Sequence, residues 1–122
     1  MKRNWTYLLL ISFICSFSSC GEKDPLANAE FKWYSIEEAA ALNKNKKRKY
    51  FVDVYTEWCG WCKRMDKTTF SEKVIKDYLQ QHFIPVKLDA EQKEKIAFLG
   101  KDYNFDPNAG RRGVHELSLI HI

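Results

Sequence analysis

The stretch that most limits what this chain can fold into is Tyr50-Phe51-Val52-Asp53-Val54-Tyr55-Thr56-Glu57-Trp58-Cys59-Gly60-Trp61-Cys62-Lys63. Its first half is apolar and rich in β-branched and aromatic residues, the mark of a buried strand. Its second half is Cys-x-x-Cys followed by charged, helix-compatible residues. A helix N-terminus carries unsatisfied N–H groups and a partial positive charge, and both favour a thiolate. Thiolate is the reactive form of cysteine. Two intervening residues put the sulfurs about one helical turn apart, close enough to join as a disulfide. The pattern therefore predicts a redox centre: one sulfur attacks a partner's disulfide, and the other resolves the mixed intermediate.

These residues resemble the thioredoxin superfamily, and within it the exported thioredoxin-like branch with a Cys-Gly-Trp-Cys centre. Asp53 stands six residues before Cys59, where the family keeps a buried acid that relays protons to the resolving cysteine. Trp58 precedes the first cysteine, as in the family. Lys87, in Pro85-Val86-Lys87-Leu88-Asp89, falls where the family places a lysine beside that acid. Lys63-Arg64-Met65-Asp66-Lys67-Thr68-Thr69-Phe70 is also similar to this branch. The likeness runs from about Phe31 to Leu117. It implies an α/β fold with a thioredoxin-like β-α-β core, and an enzyme, a protein disulfide oxidoreductase. Cys59 is then the exposed nucleophile, and Cys62 the shielded resolving thiol. Asp53 exchanges the proton, and Lys87 is the cation beside it. Trp58, Gly60 and Trp61 contact the substrate. The resemblance implies no cofactor beyond the redox-active Cys59–Cys62 disulfide. The partners would be protein thiols or disulfides and an upstream electron donor, with the reducing direction favoured.

Composition leaves room for one domain. The chain has 122 residues, 45% of them hydrophobic and 15% aromatic, which is enough for a packed core. Lys2 and Arg3 open the chain, and Trp5 to Phe17 is an apolar run too short for an ordinary transmembrane helix. Ser18-Ser19-Cys20 follows. Charged start, apolar middle and small residues before a boundary form a secretory signal over residues 1–19. The cysteine at the boundary makes it resemble a bacterial lipoprotein signal, with Cys20 as the site of lipid attachment. Residues 20–30 then read as a tether and residues 31–122 as a partial thioredoxin-like domain. The expected location is the bacterial envelope, periplasm-facing and held to the membrane by lipid, where disulfide exchange matters. Without Lys2 and Arg3 the formal charge falls from +4 to +2, too near neutral to argue for a nucleic-acid partner. Cys15 would leave with the signal, so the cysteines form one functional pair rather than a set of staples.

Along the domain, Phe31 to Tyr34 suits a short edge strand. Ser35-Ile36-Glu37-Glu38 is a capping box that starts a helix running to about Asn45. The basic run Lys44 to Lys49 reads as a solvated helix end, with anionic headgroups as a second reading. A strand over Tyr50–Thr56 leads into a helix over Cys59–Lys67. Ser71 is expected to cap the next helix, whose Val74, Ile75, Tyr78, Leu79, His82 and Phe83 share one face. Ile84 to Leu88 is a second strand, parallel to the first. Ile96 to Phe105 reads as a hairpin turning at Gly100-Lys101 in type II′ geometry, with a helix from Glu91 to Tyr103 as the alternative. Arg111 to Leu119 opens a last helix.

The family places a cis-proline loop against the cysteines, then two antiparallel strands and a closing helix. No such segment follows Lys87, and Pro107 stands in a loop-like context. The chain is therefore expected to be incomplete at its C-terminus, with Ser118 to Ile122 not continuing the natural sequence. The redox strand would be central with one edge unpartnered, a setting that invites aggregation. Other chemistries fit less well. Haem attachment needs a histidine where Lys63 stands. A structural zinc wants four ligands, and the chain offers no second cysteine pair, so no metal is expected. The competing class is a thioredoxin-like binding or chaperone module without redox turnover.

Overall fold

A computed structural model describes Leu26, residues 29–44 and residues 47–120. The expected signal segment, Cys15, and Cys20 as the expected site of lipid attachment lie outside the described residues.

Helix α1 (Ile36–Asn43) starts as its sequence demands. Ser35 Oγ accepts from Glu38 N–H at 3.1 Å, and Ser35 N–H donates to Glu38 Oε2 at 3.0 Å. That backbone bond, then the Lys32 ammonium, holds the Glu38 carboxyl below its ordinary value. Asn43 closes the far end, accepting from Arg48 N–H at 2.6 Å and donating to Arg48 C=O at 2.8 Å. The chain is thereby aimed into β1.

Strands β1 (Lys49–Tyr55) and β2 (Phe83–Asp89) are parallel, with Tyr50 opposite Ile84, Val52 opposite Val86 and Asp53 opposite Lys87. Between them run α2 (Gly60–Thr68) and α3 (Lys73–His82), so the unit is the expected β-α-β crossover in an α/β fold. The period-2 alternation of strands splits the sheet into two unlike faces. On one, Tyr50 and Val52 join the buried Ile84, Val86 and Leu88 under Ile36 and Ala39 of α1. On the other, the Phe51 ring packs at 6.2 Å from Trp33, 5.9 Å from Phe70 and 6.2 Å from Phe83. This aromatic face also carries Asp53 and Lys87.

Among the described residues the redox strand has one edge unpartnered, as expected, and it lies at the side of the sheet. Tyr34 bridges to Val86 on the far side of β2, donating to Pro85 C=O at 3.0 Å and accepting from Lys87 N–H at 3.0 Å. Strand β2 thus lies between Tyr34 and β1, and among the described residues β1 has a ladder partner on one side only. The edge strand expected at Phe31–Tyr34 is reduced to this single bridge. Leu26, placed in the tether by sequence, is 6% exposed and belongs to the core. Gln80 Nε2 donates to its carbonyl at 2.8 Å.

Four further local expectations are corrected. Ser71 does not cap α3, whose N-cap is Glu72 without a side-chain bond. Its hydroxyl donates backward to Lys67 C=O at 2.8 Å and so finishes α2. Helix α3 turns Leu79 and Gln80 inward, while Val74, Tyr78 and His82, spaced four apart, run along its outer side. His82, placed by spacing on one face with Leu79 and Phe83, is therefore exposed, its ring 4.5 Å from that of Tyr78.

The hairpin exists as β3 (Ile96–Phe98) and β4 (Lys101–Tyr103), one residue out of the expected turn. Leu99 and Gly100 are its central pair, with φ of 50° and 78°. Positive φ at both positions is type I′ geometry, not II′. The last helix expected over Arg111–Leu119 is instead a second pair of short strands, β5 (Phe105–Asp106) and β6 (Val114–His115), and a 3-10 turn over Glu116–Leu119. Gly113 is outside helical geometry there. Its φ is +82°, and a Cβ would lie 2.2 Å from Cζ of Phe105.

Candidate active site

Strand β1 delivers the chain to a turn in which Cys59 N–H donates to Thr56 C=O at 3.1 Å. Cys59 is the N-cap of α2. Its Sγ accepts from Cys62 N–H at 3.1 Å, and the two sulfurs form a disulfide with Cα atoms 5.3 Å apart. The leading sulfur thus already takes a hydrogen bond from one of the helix's orphan donors, the arrangement that would hold a thiolate after reduction. Both cysteines are half-buried.

Around them the helix presents a broad exposed apolar rim. Trp58 is 62% exposed and Trp61 73%, with Met65 one turn beyond Trp61. Arg64 lies over the Trp61 ring at 5.4 Å. Trp58 is fixed more firmly, since its indole N–H donates to Glu91 Oε1 at 2.9 Å and the Arg112 guanidinium lies 5.5 Å from its ring. A Cβ added at Gly60 would meet nothing within 4 Å, so space does not require a glycine there.

Asp53 and Lys87 are brought together by register: they stand directly opposite each other on β1 and β2. Lys87 Nζ lies 2.5 Å from Asp53 Oδ2 and 2.5 Å from Asp66 Oδ1. The ammonium also sits 5.0 Å from the Trp33 ring centre, 5.3 Å from Tyr55 and 5.7 Å from Phe70. Partial burial works against its charge, but the hydrogen bonds to Asp53 and Asp66, with their charges, outweigh it and hold Lys87 above the ordinary lysine value. Tyr55, beside it, is pushed up by burial and then by the charges of Asp89 and Glu57.

Sequence reasoning does not single out Asp66, although it carries half of this contact. The signal is its spacing. It lies four residues after Cys62, on the same side of α2. Asp53 therefore connects to the cysteine helix through Lys87 and Asp66. His115 belongs to β6. It is fully buried, its Nδ1 accepting from Leu117 N–H at 3.3 Å and its Nε2 facing Glu94 C=O at 3.2 Å. With His115 N–H donating to Ala90 C=O at 2.7 Å, it pins β6 to the loop after β2.

That loop, β6 and Trp58 border a half-open cavity of about 390 Å³ beside the Cys59 turn, lined by Thr56, Trp58, Glu91, Arg111, Arg112 and Gly113 among others. Thr56 Oγ1 is buried in its wall with no hydrogen-bond partner among the described residues.

Residues 24–103 match the family model Thioredox_DsbH, described as "Protein of unknown function, DUF255". The chain is 32% identical over 62 residues to an "Uncharacterized protein" of Archaeoglobus fulgidus, covering 51% of this chain and 49% of that one. It is 29% identical over 80 residues to "Uncharacterized protein B0495.5" of Caenorhabditis elegans, covering 62% of this chain and 11% of that protein. The chain therefore spans about half the length of the first relative and a small part of the second. No solved structure matches it significantly.

Proposed function

From the premise that the chain belongs to the Thioredox_DsbH family, a thioredoxin-like family, we propose that it is a thiol–disulfide oxidoreductase of the bacterial cell envelope, lipid-anchored at Cys20 and acting in the reducing direction on protein disulfides. One observation carries the reading: the Cys59–Cys62 pair at the start of α2, with the Cys59 sulfur already accepting a backbone N–H.

In the proposed cycle an upstream donor supplies two electrons and two protons to open the pair. The Cys59 thiolate then attacks one sulfur of the partner's cystine. An S–S bond forms between protein and partner, and the partner's other sulfur leaves as a thiolate. Cys62 loses its proton towards the Asp53–Lys87–Asp66 cluster and attacks Cys59 Sγ. The Cys59–Cys62 disulfide closes, and the partner departs with both sulfurs reduced. Asp53 and Lys87 serve as the proton-handling pair, while Trp58, Gly60 and Trp61 form the surface on which the partner rests.

Insulin reduction by dithiothreitol tests the reading. The full chain should accelerate it, and Cys59→Ser should abolish the acceleration. Cys62→Ser, reduced and then freed of dithiothreitol, should instead accumulate a mixed disulfide with insulin, visible on a non-reducing gel. Retention of the acceleration by Cys59→Ser would contradict the assignment. Anchoring is tested separately by palmitate labelling in a bacterial host, which should be lost in Cys20→Ser.

A further inference from the structure

The cavity beside the Cys59 turn carries more positive charge than the protein itself neutralises. Arg111 and Arg112 both line it, and neither has a carboxylate partner among the described residues. Arg112 lies over the Trp58 ring, a contact that does not consume its hydrogen-bond donors. Glu91 also lines the cavity, but one of its carboxylate oxygens is taken by the Trp58 indole. Lys63 and Arg64, at the start of α2, likewise lack a carboxylate partner among the described residues. Guanidinium groups bind planar carboxylates in a paired, directional way.

Two features make the arginine pair a built element rather than a loose loop. Gly113 turns the chain where no side chain fits against Phe105, and His115 ties β6 to Ala90 and Glu94. Arg111 and Arg112 are therefore presented on a fixed turn. Trp58 forms the shared wall between that turn and Cys59, its immediate neighbour in sequence.

Building on the oxidoreductase reading, we propose that this cavity binds an aspartate or glutamate side chain of the partner polypeptide, close to the cystine that Cys59 attacks. The site then selects disulfides with an acidic flank. Recognition is by Arg111 and Arg112, with Trp58 as the wall that positions Arg112.

The test uses the full chain and a pair of short cystine peptides that differ only in a glutamate or a glutamine beside the disulfide. The reduced protein should react with the glutamate peptide about three- to tenfold faster, the range expected for one or two partly exposed charge contacts. The preference should shrink as salt is raised. Arg111→Gln with Arg112→Gln should bring the ratio to about one, and Arg111→Glu with Arg112→Glu should reverse it towards a lysine-flanked peptide. Lys101→Gln, on β4 and outside the cavity lining, should keep the wild-type ratio. Equal rates for the two peptides with the unaltered protein would overturn the proposal. The same peptides with serine in place of cysteine separate recognition from chemistry, through tryptophan fluorescence. If they bind with the glutamate preference while no cystine peptide reacts, the acidic-flank site stands and the oxidoreductase reading fails. Absence of preference in both binding and rate removes the site whatever the chemistry.

Discussion

Lys87 is the residue on which the polar part of the site turns, because it is the cation shared by Asp53 and Asp66. Its side chain is 20% exposed and that of Asp53 15%, so the pair is largely shielded, whereas Asp66 at 43% is well wetted. Lys87→Met should leave Asp53 facing an apolar group among aromatic rings. A loss of about 2–3 kcal/mol is expected, below the full cost of orphaning a wholly buried charge because Asp66 and Asp53 retain some water. Asp53→Asn leaves the Lys87–Asp66 contact in place and should be milder in stability. On the proposed cycle its effect should fall in the resolving step, with the mixed disulfide persisting longer in stopped-flow measurements. Lys87 is held above the ordinary lysine value of 10.5, so its contribution is complete below that pH and fades as pH rises through the higher folded value. The stability difference between the wild type and Lys87→Met should therefore be level from pH 7 to about 10 and narrow above that, as urea midpoints would read.

At the scale of elements, the ends and turns separate what a sequence displays from what it hides. The capping box of α1, both parallel strands and the helix that starts at the cysteines are legible because each is written in consecutive residues. So is the Asp53–Lys87 pairing, through resemblance. Ser71 is not, since a serine between two helices can serve either, and only the folded geometry decides that its hydroxyl turns back to Lys67. Strands β5 and β6 have two residues each, too short for alternation to register, and their pairing joins Phe105 to His115 across a loop. The outward stripe on α3 escapes a sequence reading because spacing identifies a face but not which neighbour meets it. Leu99 escapes for another reason: a left-handed leucine leaves no periodic mark. It costs an L-residue roughly 1–2 kcal/mol to sit there, while asparagine tolerates the region. Leu99 is also 81% exposed and has little packing to lose. Leu99→Asn should raise the stability of the chain by about 0.5–1 kcal/mol, seen as a rise of a few degrees in Tm. A fall in Tm would show that the Leu99 side chain holds the hairpin in a way its exposure does not suggest.

In the molecule as a whole, the disulfide stands at the end of an edge strand of the described sheet, with β2 as the structural centre. Strand β2 is paired on both sides, its Ile84, Pro85 and Val86 are fully buried, and it supplies Lys87 to the aromatic face. The open side of β1 and the exposed Val54 at 42% leave backbone and apolar surface near the redox turn. The architecture thus sets a rigid strand pair behind a helix whose first turn carries the chemistry, and places the arginine turn and Trp58 at its flank. Everything functional in this account follows from the reactivity of one sulfur. The direct test is the pH dependence of iodoacetamide alkylation of Cys59 in the reduced full chain. Its rate should reach half-maximum at least about one pH unit below the ~8.5 of a free thiol. A midpoint at or above ~8.5 would contradict an activated nucleophile at the start of α2.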